Sequence, residues 1–105
     1  MERFEALRER YRASFPDKAR DLRRAWTAVC AGDETALTEL QHLVHRLAGS
    51  APIYGYDEGI GRPARAADAA VCAWREVAAG SRPPLAALCV QIGETLAALL
   101  HGLET

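Results

Sequence analysis

Residues 41–56 read QHLVHRLAGSAPIYGY. Val44 and Leu47 continue a stripe that starts at Leu37 and Leu40 and ends at Ala51, with spacings of three, four, three and four. That rhythm marks one face of a helix. Two residues break the helical chemistry. Gly49 costs about 1 kcal/mol relative to alanine inside a helix. Pro52 removes a hydrogen bond and sets its ring against the Ala48 carbonyl, so the helix is predicted to kink or stop there. His45 lies about 100° around from Val44, on the flank of the stripe, and is predicted to face solvent. Gln41, His42, Ala48 and Gly49 are its neighbours one turn away. A glycine beside an exposed imidazole leaves room for something large to reach the ring.

The same rhythm recurs on either side. Residues 2–14 place Phe4, Leu7 and Tyr11 on one stripe. Pro16 suits the first turn of a second helix that runs to about Ala31 on Phe15, Ala19, Leu22, Trp26 and Val29. Gly32 is suited to a left-handed C-terminal position, and Asp33 to capping the third helix. A fourth stripe is Ile60, Ala64, Ala67, Val71, Trp74 and Ala78, with its end expected at Gly80. Ser81, Pro83 and Pro84 are expected to open a fifth helix on Leu85, Leu88, Ile92, Leu96, Leu99 and Leu103. No segment alternates with period two, and there is no internal repeat. Narrow stripes joined by short connections predict an all-α fold: an antiparallel four-helix bundle with a short additional N-terminal helix, one domain over residues 1–105.

Composition excludes several functions. A formal net charge of −1 gives no global field for capturing phosphates, so nucleic acid is not expected as a partner. Arg20, Arg23 and Arg24 cluster, but Asp17 and Asp21 lie among them, as on a solvated helix face. Cys30, Cys72 and Cys89 show no metal-ligand spacing and sit in apolar stretches, which suggests small buried thiols in a reducing compartment. The charged, amphipathic start is unlike a signal peptide, and no apolar run is expected to span a bilayer, which points to a cytoplasmic chain. His42 and His45 have no flanking carboxylate of the di-iron type, so no metal is expected. No nucleophile–base pair or phosphate loop suggests an enzyme. Trp26 and Trp74 are expected in the core, Tyr54 and Tyr56 against the turn, and His101 at the surface.

The stretch HRLAGSAPIYGY resembles the signature of histidine-containing phosphotransfer (HPt) domains of bacterial phosphorelays. In that family the histidine is followed by leucine at the second position, lysine at the third and glycine at the fourth. Small residues come next, and a second glycine lies ten after the histidine. His45, Leu47, Gly49, Ser50, Ala51 and Gly55 fit; Ala48 stands where the lysine would be. The lead-in FEALRERYRASFPDKARDLRRAW and the segment RPARAADAA are also similar to the family, so the resemblance covers nearly the whole chain. DEGIGRP holds one residue more than the usual spacing, which predicts an irregular turn with regular helix resuming near Pro63.

The resemblance implies that His45 accepts a phosphoryl group from an aspartyl phosphate on a receiver domain of a response regulator or hybrid kinase, and passes it on. Magnesium would sit on the receiver; the carrier itself would need no cofactor and act as a monomer. An imidazole is a good nucleophile near neutral pH. Phosphoryl transfer needs positioning and charge stabilisation more than covalent help. Arg46 and Ser50 are candidates to meet the phosphoryl charge, with Arg62 and Arg65 further off. The alternative is a docking module of the same fold that binds a receiver or kinase without taking phosphate, or a plain helical interaction domain.

Overall fold

A computed structural model describes residues 2–105, and those residues form helices and turns with no strand. The helices are α1 (Glu2–Ala13), α2 (Phe15–Cys30), α3 (Glu34–Ser50), α4 (Arg62–Glu76) and α5 (Leu85–Glu104). α2 packs on α3 and α5, and α4 packs on α3 and α5, so the four long helices close a ring around one core. Leu22, Leu37, Leu40, Val44, Val71, Leu96 and Leu99 lie at its centre, fully shielded from solvent.

Local chemistry sets the boundaries. Pro16 occupies the first turn of α2. Gly32 takes a left-handed φ of 97°, as its position after the helix requires. The Asp33 carboxylate accepts the backbone N–H groups of Thr35 and Ala36 at 3.0 and 3.3 Å, capping α3. α3 stops at Ser50, and Pro52 sits in a 3-10 turn over Ala51–Tyr54. Gly55 then turns left-handed (φ 86°), a π-helical turn covers Asp57–Gly61, and Pro63 lies in the first turn of α4. The irregular turn is as the spacing predicted.

Side chains link α3 to α4 in order: Thr38 with Arg75, Gln41 with Cys72, His45 with Asp68. One member advances as the other retreats. On the opposite seam, Cys30 and Cys89 are joined as a disulfide with Cα atoms 5.6 Å apart, while Arg23 at the middle of α2 pairs with Glu104 at the end of α5.

The structure departs from the sequence reading in several places. α4 ends at Glu76, short of Gly80. Arg82 folds back to donate to the carbonyls of Arg75 and Val77 and lies over the Trp74 ring, while the Trp74 indole N–H donates to the Pro83 carbonyl. These bonds satisfy the helix end without a glycine, and Ala78 falls outside the helix and is exposed. Gly80 and Ser81 lie in a 3-10 turn, and α5 opens at Leu85 after Pro84.

α1 is not a member of the core. Phe4 and Leu7 are 43% and 40% exposed. α1 is tied down mainly at its C-terminal end: Tyr11 stacks on Tyr54 and meets Phe15 edge-on, and Arg8 donates to the Tyr54 carbonyl. The molecule is 53 Å long, well beyond the ~30 Å of a twenty-residue helix, so α1 extends past the ring.

The cysteines are not buried thiols. Cys30 and Cys72 are exposed, Cys89 is half-buried, and two of the three are bonded to each other. Each follows a core residue (Val29, Val71, Leu88), so each is rotated about 100° off the buried stripe. Trp26 is half-buried rather than central, its ring beside Gly93 of α5. Trp74 is buried as expected. Against the expectation of no spanning run, α5 is long and apolar enough to cross a membrane by length and composition. Its stripe of Leu88, Ile92, Leu96, Leu99, Leu100 and Leu103 is buried within the protein.

Candidate functional site

α3 presents His45 at mid-length because Leu40, Val44 and Leu47 bury the opposite side of that turn. The His45 side chain is 75% exposed. Its Nδ1 lies 2.9 Å from Oδ2 of Asp68 on α4, whose side chain is only 19% exposed. The Asp68 carboxylate is acceptor-only when ionised, so Nδ1 carries the hydrogen of this bond. That fixes the tautomer: the lone pair of the neutral ring is left on Nε2, the outward nitrogen. The sequence reading named no partner for His45, and this carboxylate corrects it.

Gly49 lies one turn along α3 from His45. A Cβ built there meets nothing within 4 Å. No packing among the described residues demands glycine at this position, and the space it opens lies one turn from the imidazole. Gln41 flanks the ring on the α4 side, where its amide donates to the Cys72 sulfur at 3.2 Å; the Cys72 thiol is in turn 3.8 Å from Asp68 Oδ1. Gln41, Cys72, Asp68 and His45 thus form one polar line across the α3–α4 seam. Ala48 is half-buried and packs against the core cluster, so it contributes no charge. His42 is exposed one turn before His45, with its carbonyl accepting Arg46 Nε at 3.4 Å.

The candidate phosphoryl-binding groups fare unevenly. Arg46 points to the α2 side of α3, away from Asp68. Ser50 is committed elsewhere: its hydroxyl donates to the Arg46 carbonyl at 2.9 Å and lies 2.7 Å from the Tyr11 hydroxyl. With the Ser50 proton so used, Tyr11 is the donor of the second bond. Arg62 pairs with Glu58 at 3.2 Å, and Arg65 with Asp57 at 2.7 Å. The Arg65 hydrogen bond holds the Asp57 carboxyl below its ordinary range. So of the predicted set, Gln41, His42 and Gly49 gather around His45, while Ser50, Arg62 and Arg65 are engaged elsewhere.

Among the described residues no cluster of three or more His, Cys, Asp and Glu side chains is arranged to hold a metal. His101 is exposed, and Tyr54 and Tyr56 pack the turn with Tyr11 and Phe15. Two of the α2 arginines are matched locally, Arg20 by Asp17 and Arg24 by Asp21, and Arg23 is matched by Glu104 of α5.

What sequence reasoning missed is Asp68. Ala67 and Val71 fix the buried face of α4, and Asp68 follows about 100° round from Ala67. Which carboxylate then meets His45 depends on how α4 slides and rotates against α3, and no local pattern encodes that. No protein-family model, curated protein or solved structure matches this chain.

Proposed function

We propose that the protein is a histidine phosphocarrier of the HPt kind, with His45 accepting a phosphoryl group from a receiver aspartate and donating it to another. The observation that carries this reading is the combination at one spot of α3: an exposed imidazole, its Nδ1 held by Asp68, and an unneeded glycine that leaves the approach open. The ordered pairs between α3 and α4, and the reversed order of the two links between α2 and α5, fit an antiparallel four-helix bundle as the scaffold.

In the forward step the Nε2 lone pair attacks the phosphorus of the aspartyl phosphate in line with the leaving carboxylate oxygen. A P–N bond forms, the P–O bond breaks, and the aspartate leaves as a carboxylate. The ring keeps its Nδ1 hydrogen and so gains positive charge, which the Asp68 carboxylate offsets at 2.9 Å. The reverse sequence returns the group to a second receiver. The receiver supplies magnesium and the acidic pocket; the carrier supplies position and clearance and acts without a cofactor of its own, as a cytoplasmic monomer. In a reducing compartment Cys30 and Cys89 would stand as a dithiol.

The second reading is a docking module that binds a receiver without taking phosphate. It is favoured by Ala48, which leaves the outer face of α3 without the cation found one turn from the histidine in the family. Incubation with a phosphorylated receiver separates the two. The carrier acquires acid-labile, base-stable label that His45→Gln abolishes. Label surviving that substitution would move the acceptor elsewhere, His42 first, and complex formation without label would leave only the docking module.

A further inference from the structure

On the side of α3 away from Asp68, a groove of about 570 Å³ runs between α2 and α3. Lys18 from α2 and Arg46 from α3 both line it. Neither has a carboxylate at ion-pair distance among the described residues, whereas the other basic residues of α2, Arg20, Arg23 and Arg24, all do. The two carboxylates at the groove, Asp17 and Asp21, are already turned to Arg20 at 2.8 Å and Arg24 at 3.0 Å. Two unmatched cations in one partly shielded cleft repel each other. Burial first, and the Arg46 charge second, push the Lys18 ammonium below its ordinary value.

The neighbouring hydroxyls cannot be the intended donors, because their protons are used. Ser14 donates to the Tyr11 carbonyl, Ser50 to the Arg46 carbonyl, and Tyr11 to Ser50. Lys18 spends one N–H on Ser14 and lies over the Tyr11 ring; Arg46 spends Nε on the His42 carbonyl. What remains for an incoming group is the rest of the Lys18 ammonium and the outer edge of the Arg46 guanidinium, above a floor that is more apolar than polar and includes Tyr11 and Leu43.

We propose that this groove binds a small amphipathic anion, a carboxylate or phosphate ester whose head sits between Lys18 and Arg46 and whose apolar body lies on Tyr11 and Leu43. The charged head relieves the cation repulsion, and the body covers half-exposed ring and aliphatic surface. The site is separate from His45, which faces the other flank of the helix.

The test is an amide-resolved NMR titration of the full chain with phenyl phosphate, phenylacetate, inorganic phosphate and benzyl alcohol. Saturable shifts at Ser14, Lys18, Leu43 and Arg46 are expected with one of the two amphipathic anions below about 10 mM, and the tighter binder identifies the head group. Lys18→Gln and Arg46→Gln should each weaken it by about tenfold, the remaining resonances reporting an intact fold. His45→Gln should leave it unchanged, so that failure here is distinct from failure of the phosphocarrier reading. Equal response to inorganic phosphate would mean an adventitious ion only. Equal response to benzyl alcohol would mean apolar adsorption. Absence of saturation, or indifference to both substitutions, would also overturn the proposal.

Discussion

The α2–α5 seam and the outer face of α3 are built on opposite rules. On the seam, parts that meet are fastened. Cys30 is bonded to Cys89 at one end and Arg23 pairs with Glu104 at the other. Nearby, Gly102 of α5 lies so close to the backbone of Gly59 that a Cβ would strike the Gly59 carbonyl. On the outer face of α3 the His45 ring is mostly exposed, and Gly49 faces empty space. Both glycines sit inside helices, where glycine is unfavourable. Gly102 is explained by its own protein and Gly49 is not. On the proposed phosphocarrier reading, a helical glycine without an internal reason fits room kept for an outside partner.

The sharpest way to break this contrast is to add one methyl group at each position. Gly102→Ala forces the π-helical turn away from α5 and should destabilise the fold by about 1–3 kcal/mol, the usual cost of overpacking. Gly49→Ala meets no atom and should stabilise by roughly 0.5–1 kcal/mol through helix propensity. Chemical denaturation of both variants reads the signs. A loss of stability at Gly49 would mean the helix needs the glycine for itself, and the argument for a docking clearance would fall. Phosphotransfer to a bulkier Gly49→Leu variant, slowed with stability intact, would strengthen it.

A second test sharpens what the open face offers once reached. Among the described residues Asp68 is the one charged group that engages the imidazole. Hydrogen bonds to charged groups contribute about 1.5–3 kcal/mol when shielded. His45 is mostly exposed, so the lower bound applies, and Asp68→Ala should slow phosphotransfer by roughly tenfold, since about 1.4 kcal/mol is a factor of ten. The expected signature is slower transfer with receiver affinity unchanged, because Asp68 acts on the ring and its own side chain is mostly shielded from solvent. Equal weakening of binding and transfer would make Asp68 a mere part of the docking surface.

Much of the helical frame was legible because it is local. The stripes on α2, α3 and α5, the Asp33 cap, the Gly32 turn and the stop near Pro52 each follow from residues a few positions apart. What escaped depends on contacts across the fold. The end of α4 is set by Arg82 returning to Arg75 and Val77, so a search for a glycine stop overshoots. The cysteines were misjudged for a different reason. Their apolar neighbours suggested burial, although the helical phase of Val29, Val71 and Leu88 already turned each thiol off the core face. His45 and its exposure follow from phase alone, whereas Asp68 requires the register between two helices.

The smallest expected effect concerns Ala48, where the contrast between fastened and open regions meets the resemblance. Its methyl group packs against the edge of the core, so the residue serves the scaffold while the face beside it lacks a cation. A lysine there could lay its methylenes along that edge and reach the outer face with its ammonium. An exposed ion pair contributes about 0.2–1 kcal/mol, so Ala48→Lys should lengthen the phosphohistidine lifetime, or raise the transfer rate, by at most about fivefold. The gain should fade with added salt, since screening acts on exposed charges. A gain that persists at high salt would point to packing instead. No gain at all would mean that the phosphoryl charge is already met, and Arg46, the nearest cation on the same helix, would become the group to remove next.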